Sequence, residues 1–414
     1  MGLLCTQQQS HTVKSICDVM IDLQETYPNA GAQEMVSLLF HEQAMSVSRN
    51  IVVTYFTTYE ANLVHLHKAH RLWRKWFWAA GVNNLFAVDQ HDKWLRFGLA
   101  LHTGIEPFSG CIMWMRVWHS NQNPQLILTY YLDTIQELGY MPMVTQSDPG
   151  SENFGITNVH TMLHQWHDPT LEGTLQHCWM HTKKNVMPEI TWSQLCCQFT
   201  PSFETYLDHG VESGWYDFDN TLQQCVLHFL HSIVLTDGFG LIFRWVFIPW
   251  LQHKLDGYKD HINNTTKRRD RNKVLPHGVL NLIYNSANNF GALDFKIILE
   301  PGAIDHVRNT YIDPNHAVFE LVPPEFSNFI QHCYDELGCP LVNCQSAWTV
   351  YLDLHHIISQ LYEQLPQIVL TDEDNDPLPL LENHQDLPFH EDEDGAYYMG
   401  GVGRGLGLGA SPSS

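Results

Sequence analysis

The sequence predicts a mixed α/β fold, a sheet of mixed strand direction flanked by helices, and three observations point there. Three short runs with strand-like patterning occupy 85–89, 95–102 and 111–118, the last two joined by a turn-rich GIEPFSG. Asn123-Pro124 then opens a helix to about 138, with Asn as cap and Pro in the first helical position, where its missing N–H costs nothing. A further apolar run over 143–147 ends on Asp148 at a Pro-Gly turn. Hairpins that feed a strand–helix–strand crossover fold into such a sheet, because hairpins return antiparallel and the crossover returns parallel.

Ahead of these strands, residues 10–60 carry helical spacing. Val13, Ile16, Cys17 and Met20 share one face, and Pro28-Asn29-Ala30-Gly31 ends that helix. A second helix uses Met35, Leu38 and Leu39; a third, capped by Ser48, uses Ile51, Val52, Tyr55 and Phe56. Three short helices with tight joints suit a helix-turn-helix-like DNA-binding region, and suit any small helical subdomain as well. Residues 63–81, LVHLHKAHRLWRKWFWAAG, then set Lys68, Arg71, Arg74 and Lys75 among aromatics. Such a helix can lie along a nucleic-acid backbone or tuck Trp73, Trp76 and Phe77 into a core.

Beyond the strands, the apolar run over 225–251 contains His228, His231, Asp237, Arg244 and Pro249, so it reads as a buried helix–loop–helix and not as a membrane span. Residues 283–365 read as a smaller mixed domain with helices over 325–337 and 348–365. The tail over 371–394 holds ten acids and no Lys or Arg, which predicts a solvated, disordered segment, and the Gly-rich end MGGVGRGLGLGASPSS is expected to be unstructured.

The net charge is −23, with 22 Lys and Arg against 45 Asp and Glu. Even without the tail the chain is acidic, an unusual balance for a protein that grips phosphates. The 26 His add positive charge only as pH falls towards ~6.5. The ten Cys show no C-x2-C spacing, and the polar start MGLLCTQQQS does not read as a signal peptide, so reduced thiols in a nuclear or cytosolic protein are expected. That start loosely fits a myristoylation pattern, but no basic cluster follows to support an anchor.

Three carboxylates carry the chemistry. Asp89 ends the first strand, Asp148 ends the strand of VTQSDPGSENF (144–154), and Glu189 follows on a helix started by Pro188. A β-β-β-α-β order is that of a ribonuclease H-like domain, and it brings adjacent strand ends and a flanking helix to one point, at the sheet edge where α/β active sites gather. Carboxylates packed together repel unless a cation sits among them. Hard divalent ions bound by such a cluster activate a nucleophile and stabilise the leaving oxygen of a phosphodiester. Asp92 is a rival to Asp89 and Glu152 to Asp148, and either could be a turn residue; Glu189 could merely favour its helix dipole.

As a set, VDQHDKWLRFGL, VTQSDPGSEN, EGTLQHCWM, PEITWSQL and KRRDRNKVLPHG resemble the integrase cores of DDE type, and more closely the fungal integrase core domain-containing proteins derived from transposable elements. The likeness runs from about residue 10 to 365. It implies a ribonuclease H-like fold, Mg2+ or Mn2+, strand transfer or hydrolysis at DNA ends, and Asp89, Asp148 and Glu189 as the acidic triad. Phe86 departs from the Trp more usual in the family, and Cys111, Cys178, His181, Cys196 and Cys197 stand where relatives are expected to carry Arg. Single-base transitions in Arg codons yield Cys and His, which is the pattern of a decaying element copy. Residues around 225–241 look additional to the family's pattern.

The expected organisation is therefore a helical region over 1–80, an integrase-like catalytic core over 81–260, an accessory domain over 261–368 and a tail over 369–414. Lys183, Lys184 and the KRRDRNK cluster (Lys267, Arg268, Arg269, Arg271 and Lys273) are candidate nucleic-acid contacts, and the cluster could also be a nuclear address. The expected partners are element ends and target DNA, with room for a homo-oligomer and no membrane. The alternative function is a catalytically impaired nucleic-acid binder from a decayed or captured element.

Overall fold

The computed structural model describes residues 10–28, 30–59, 79–180, 185–217, 233–266, 275–361, 378–387, 390–391 and 397–398, with the backbone alone at 233–239 and in the last two pairs. Three helices lead the chain: α1 (Val13–Thr26), α2 (Ala32–Gln43) and α3 (Arg49–Tyr59). Thr12 caps α1 by accepting the backbone N–H of Ser15, and the helices meet around Ile16, Met20, Leu38, Leu39, Val52 and Tyr55. The third begins immediately after Ser48, where the sequence places its start.

Five strands form the central sheet: β1 (Leu85–His91), β2 (Ala100–Glu106), β3 (Cys111–Trp118), β4 (Val144–Ser147) and β5 (His177–Trp179), in the spatial order β3-β2-β1-β4-β5. β1 pairs antiparallel with β2 and β2 with β3, while β4 runs parallel to both β1 and β5. This is the mixed, ribonuclease H-like sheet that the order of elements predicts. One strand is displaced from its expected place. Leu95–Phe97 make a 3-10 turn that Gly98 closes at φ 71°, and β2 starts only at Ala100. Trp94, fully buried and donating its indole N–H to Glu204 at 3.1 Å, draws this piece off the strand path. β5 escapes sequence reading because three residues, His-Cys-Trp, offer no alternation.

Neighbouring residues of a strand face opposite sides, so two cores flank the sheet. On one side Phe86, Val88 and Trp114 pack with α4 (Pro124–Leu138) and α5 (Phe154–His167). Asn123 caps α4 by accepting from Gln125 and Leu126, with Pro124 in the first turn as predicted. On the other side Leu101, Ile105, Met115 and Val117 meet α6 (Val186–Gln198), α7 (Thr200–Glu212) and α8 (Ile233–Asn263).

α8 corrects the expected helix–loop–helix over 233–251, where it is one 31-residue helix that runs through Pro249; residues 225–232 of that expectation lie outside the described residues. The proline costs about 3 kcal/mol in a helix interior. Phe243, Phe247, Leu251 and Leu255 are each essentially buried against the sheet and later helices, at about 1.5–3 kcal/mol apiece, and that outweighs the loss. Among the described residues no helix is long and apolar enough to cross a membrane.

α1 to α3 rest on this flank. Tyr27 lies against Phe199, the Gln198 amide donates to Glu34 at 3.1 Å, and Ser37 bonds Thr265. The later helices α9 (Leu280–Asn285), α10 (Pro301–Tyr311), α11 (Pro324–Glu336) and α12 (Ala347–Gln360) also fill the two flanking cores, with Ile304 and Val307 on one side and Phe326, Tyr351 and Leu354 on the other.

The tail reading needs a correction over 378–387, which is docked by backbone bonds and not disordered, although its acidic residues stay exposed. Leu175 donates its N–H to the Gln385 carbonyl, Gln385 donates to the Gly173 carbonyl, and Asn158 bonds both Pro379 and Leu381. Leu387 packs on Val144, Cys178 and Met180. The segment lies beside the short edge strand β5, where unpaired backbone groups would otherwise face water.

Candidate active site

β1 and β4 lie side by side and parallel, with Ala87 opposite Gln146. Two residues further on each chain, at the same end of the sheet, come Asp89 and Asp148. Glu189 stands in the first turn of α6, which begins at Val186, so Pro188 is its third residue and not its first. Asn185, fully buried just before the helix, sets where that turn sits. Its amide donates to the Val88 carbonyl at 2.8 Å and its oxygen accepts from the Gln146 amide at 3.1 Å. One side chain thus ties the start of the Glu189 helix to both strands that carry the aspartates.

The three sequence candidates share one rim electrostatically. Burial raises the Asp89 carboxyl to about 7, the Asp148 charge adds to the rise, the indole N–H of Trp192 opposes it, and Glu189 contributes a smaller rise. Among the described residues, no three Asp, Glu, His or Cys side chains are gathered tightly enough to enclose an ion as they stand. The donor set nevertheless fits a hard divalent cation: all three groups are carboxylates, the ligands Mg2+ and Mn2+ prefer. A cation between them would also relieve the Asp89–Asp148 repulsion.

The rivals occupy the neighbourhood in different ways. Asp92 accepts from the Asn121 amide at 2.8 Å, which pins the chain after β1 to the end of β3. Glu152 accepts from Asn153 at 2.9 Å; burial raises its carboxyl, with smaller rises from Asp92 and Asp148. Glu152 therefore stands beside Asp148, whereas Asp89 feels both Asp148 and Glu189.

Two contributors escaped the sequence reading in their roles. Trp192, 4% exposed, donates its indole N–H to Asp89 Oδ2 at 3.0 Å, and His91 stacks on its ring at 5.0 Å and 17°. The signal available was spacing, since Trp192 follows Glu189 by three residues and so shares its helix face. Asn185 carried the only other signal, a capping residue type ahead of an apolar helix.

Lys183, Lys184 and the five cations from Lys267 to Lys273 lie outside the described residues, as does the basic stretch over 63–78. Near the site, Lys93 is paired with Glu204 at 2.9 Å and Arg96 with Asp208 at 2.8 Å. Cys111 and Cys178 are buried, Cys196 is half-buried and Cys197 exposed. None offers the bidentate grip on phosphate that Arg would.

No curated protein matches the chain. A family model described as integrase core domain matches residues 76–286, just over half of the sequence. That stretch holds the five-stranded sheet, Asn185, Trp192 and all three acids on the rim; the chain belongs to the integrase core domain family.

Proposed function

We propose that this chain is a metal-dependent polynucleotidyl transferase of the DDE type, acting on the ends of element DNA, with Asp89, Asp148 and Glu189 as its acidic triad. The observation that supports this most is that the Asp148 and Glu189 charges both act on Asp89 at one end of β1 and β4. Mg2+ or Mn2+ bound there would activate an attacking hydroxyl, from water or a 3′ end, and stabilise the departing oxygen. Asp89 and Asp148, on neighbouring strand ends, are placed to share ions, and Glu189 approaches from the helix. Asp89 on β1, Asp148 just past β4 and Glu189 on α6 supply orientation, which is where most of the protein's share of such catalysis lies. The site of action is the nucleus, where element and target DNA meet.

A strand-transfer assay with Mg2+ tests the proposal. Wild-type protein joins or cuts labelled DNA ends, and Asp148→Asn abolishes both. Equal inactivity of the two proteins would instead favour a binder that has kept the fold and lost catalysis. The charge balance is the observation on that side, with 22 basic against 45 acidic residues and Cys where Arg is expected.

A further inference from the structure

Trp192 belongs to the helix of Glu189 and bonds the carboxylate of Asp89, so it touches two members of the site through one ring. Asp89 and His91 are two apart on β1 and face the same way. Glu189, Trp192 and Cys196 are spaced three and four apart on α6 and line one face of it. The two rows meet: Trp192 Nε1 donates to Asp89 Oδ2 at 3.0 Å, the His91 ring lies under the indole, and Cys196 Sγ is 3.5 Å from His91 Nε2. Asn185 joins the same helix to the same strand nearer its start, through the Val88 carbonyl. Helix and strand are therefore held at three points, and the middle one runs directly through a carboxylate.

We infer that Trp192 is a positioning residue for divalent metal: its indole N–H sets the rotamer of Asp89, and the stacked His91 holds the indole in place. This inference rests on the triad reading above. A tryptophan kept only for packing would need its bulk and not its N–H, because a phenyl ring fills much of the same space. A carboxylate already fixed by a buried donor has less freedom to lose when it meets an ion, which is the advantage of a preorganised site. An Asp89 without that donor must be ordered by the ion itself.

The test is direct Mn2+ binding to the full chain, read by electron paramagnetic resonance of free Mn2+, with no DNA present. Trp192→Phe removes the donor and keeps an aromatic ring; it is expected to bind Mn2+ about tenfold more weakly, the scale of a hydrogen bond to a charged group. His91→Ala keeps the donor and removes its support, and about a threefold loss is expected; it decides alone if Trp192→Phe does not fold. Asp148→Asn serves as the control that loses the tight site. Wild-type affinity in both the Trp192 and His91 variants, with binding lost in Asp148→Asn, overturns the role of Trp192 and leaves the triad standing. Wild-type affinity in Asp148→Asn as well overturns both.

Discussion

Asn185→Ala is the change that asks most of the geometry, because Asn185 does its work without being one of the acids. The residue is fully buried, and its amide serves two buried partners, the Val88 carbonyl at 2.8 Å and the Gln146 amide at 3.1 Å. Gln146 has little in reserve, since its own Oε1 has no hydrogen-bond partner. A buried polar group deprived of its partner costs about 1–3 kcal/mol, so two of them put the loss at about 2–6 kcal/mol. Urea unfolding at pH 7 reads it as a lower midpoint at unchanged slope. Asn185→Asp sharpens the test. It keeps the shape and still accepts from Gln146, yet at pH 7 it sets a carboxylate oxygen against the Val88 carbonyl. Protonation gives it back a donor, so this variant recovers stability relative to Asn185→Ala as pH falls through its carboxyl range. An Asn185→Ala protein that unfolds within about 0.5 kcal/mol of wild type, the range of an ordinary surface change, would refute the idea that this amide holds the Glu189 helix in register.

Other perturbations follow from the same contacts. A Cβ at Gly104 would run into the Trp114 ring, which is itself buried and donates to His102 at 3.0 Å, so Gly104→Ala should cost about 1–3 kcal/mol by thermal or urea unfolding. Asp89 has its folded pKa raised to about 7, so its stabilising share is present below about pH 4 and lost as pH rises through 7. Asp89→Asn should accordingly stabilise the metal-free protein at pH 8, by about 2 kcal/mol, while excess Mn2+ stabilises wild type alone. Burial holds His102, His119 and His177 down to about 3 and His164 to about 4. Their stabilising share is complete above ~6.5 and is lost as pH falls towards those values, at up to about 1.4 kcal/mol per pH unit for each. The raised carboxyls of Asp89 and Glu106, both about 7, offset about half of this between about pH 4.5 and 6.5, so stability should fall gradually below about pH 6.5 and steeply below about pH 4.5. A melting temperature that stays level from pH 6 to pH 3.5 would contradict that.

Much of the fold is written in local signals, and the exceptions have physical reasons. Asn123-Pro124 specifies the start of α4 by itself, because a cap and a first-turn proline need no tertiary help. The end of β4 was legible for the same reason, since an apolar run stopped by a carboxylate at a turn is a local pattern; β1 instead runs two residues past Asp89 to His91, because its pairing with β2 continues there. The 95–102 segment was not, since its outcome depends on Trp94 reaching Glu204 in α7, a partner 110 residues away. Pro249 argues for a break on local grounds, and only packing on both sides of α8 overrides it. The docked stretch over 378–387 reads as acidic and solvated because its anchors are backbone bonds and one leucine, which composition does not register. In the site, residue type singled out the three acids as candidates, whereas Asn185 and Trp192 required knowing which helix meets which strand.

Diffraction from crystals soaked in Mn2+, with anomalous data collected at the manganese edge, tests the site most directly. Peaks lying among the carboxylates of Asp89, Asp148 and Glu189, and absent from an Asp148→Asn crystal grown alike, are the expected result. Manganese bound elsewhere in the wild-type crystal, with those three side chains turned from one another, would contradict the account.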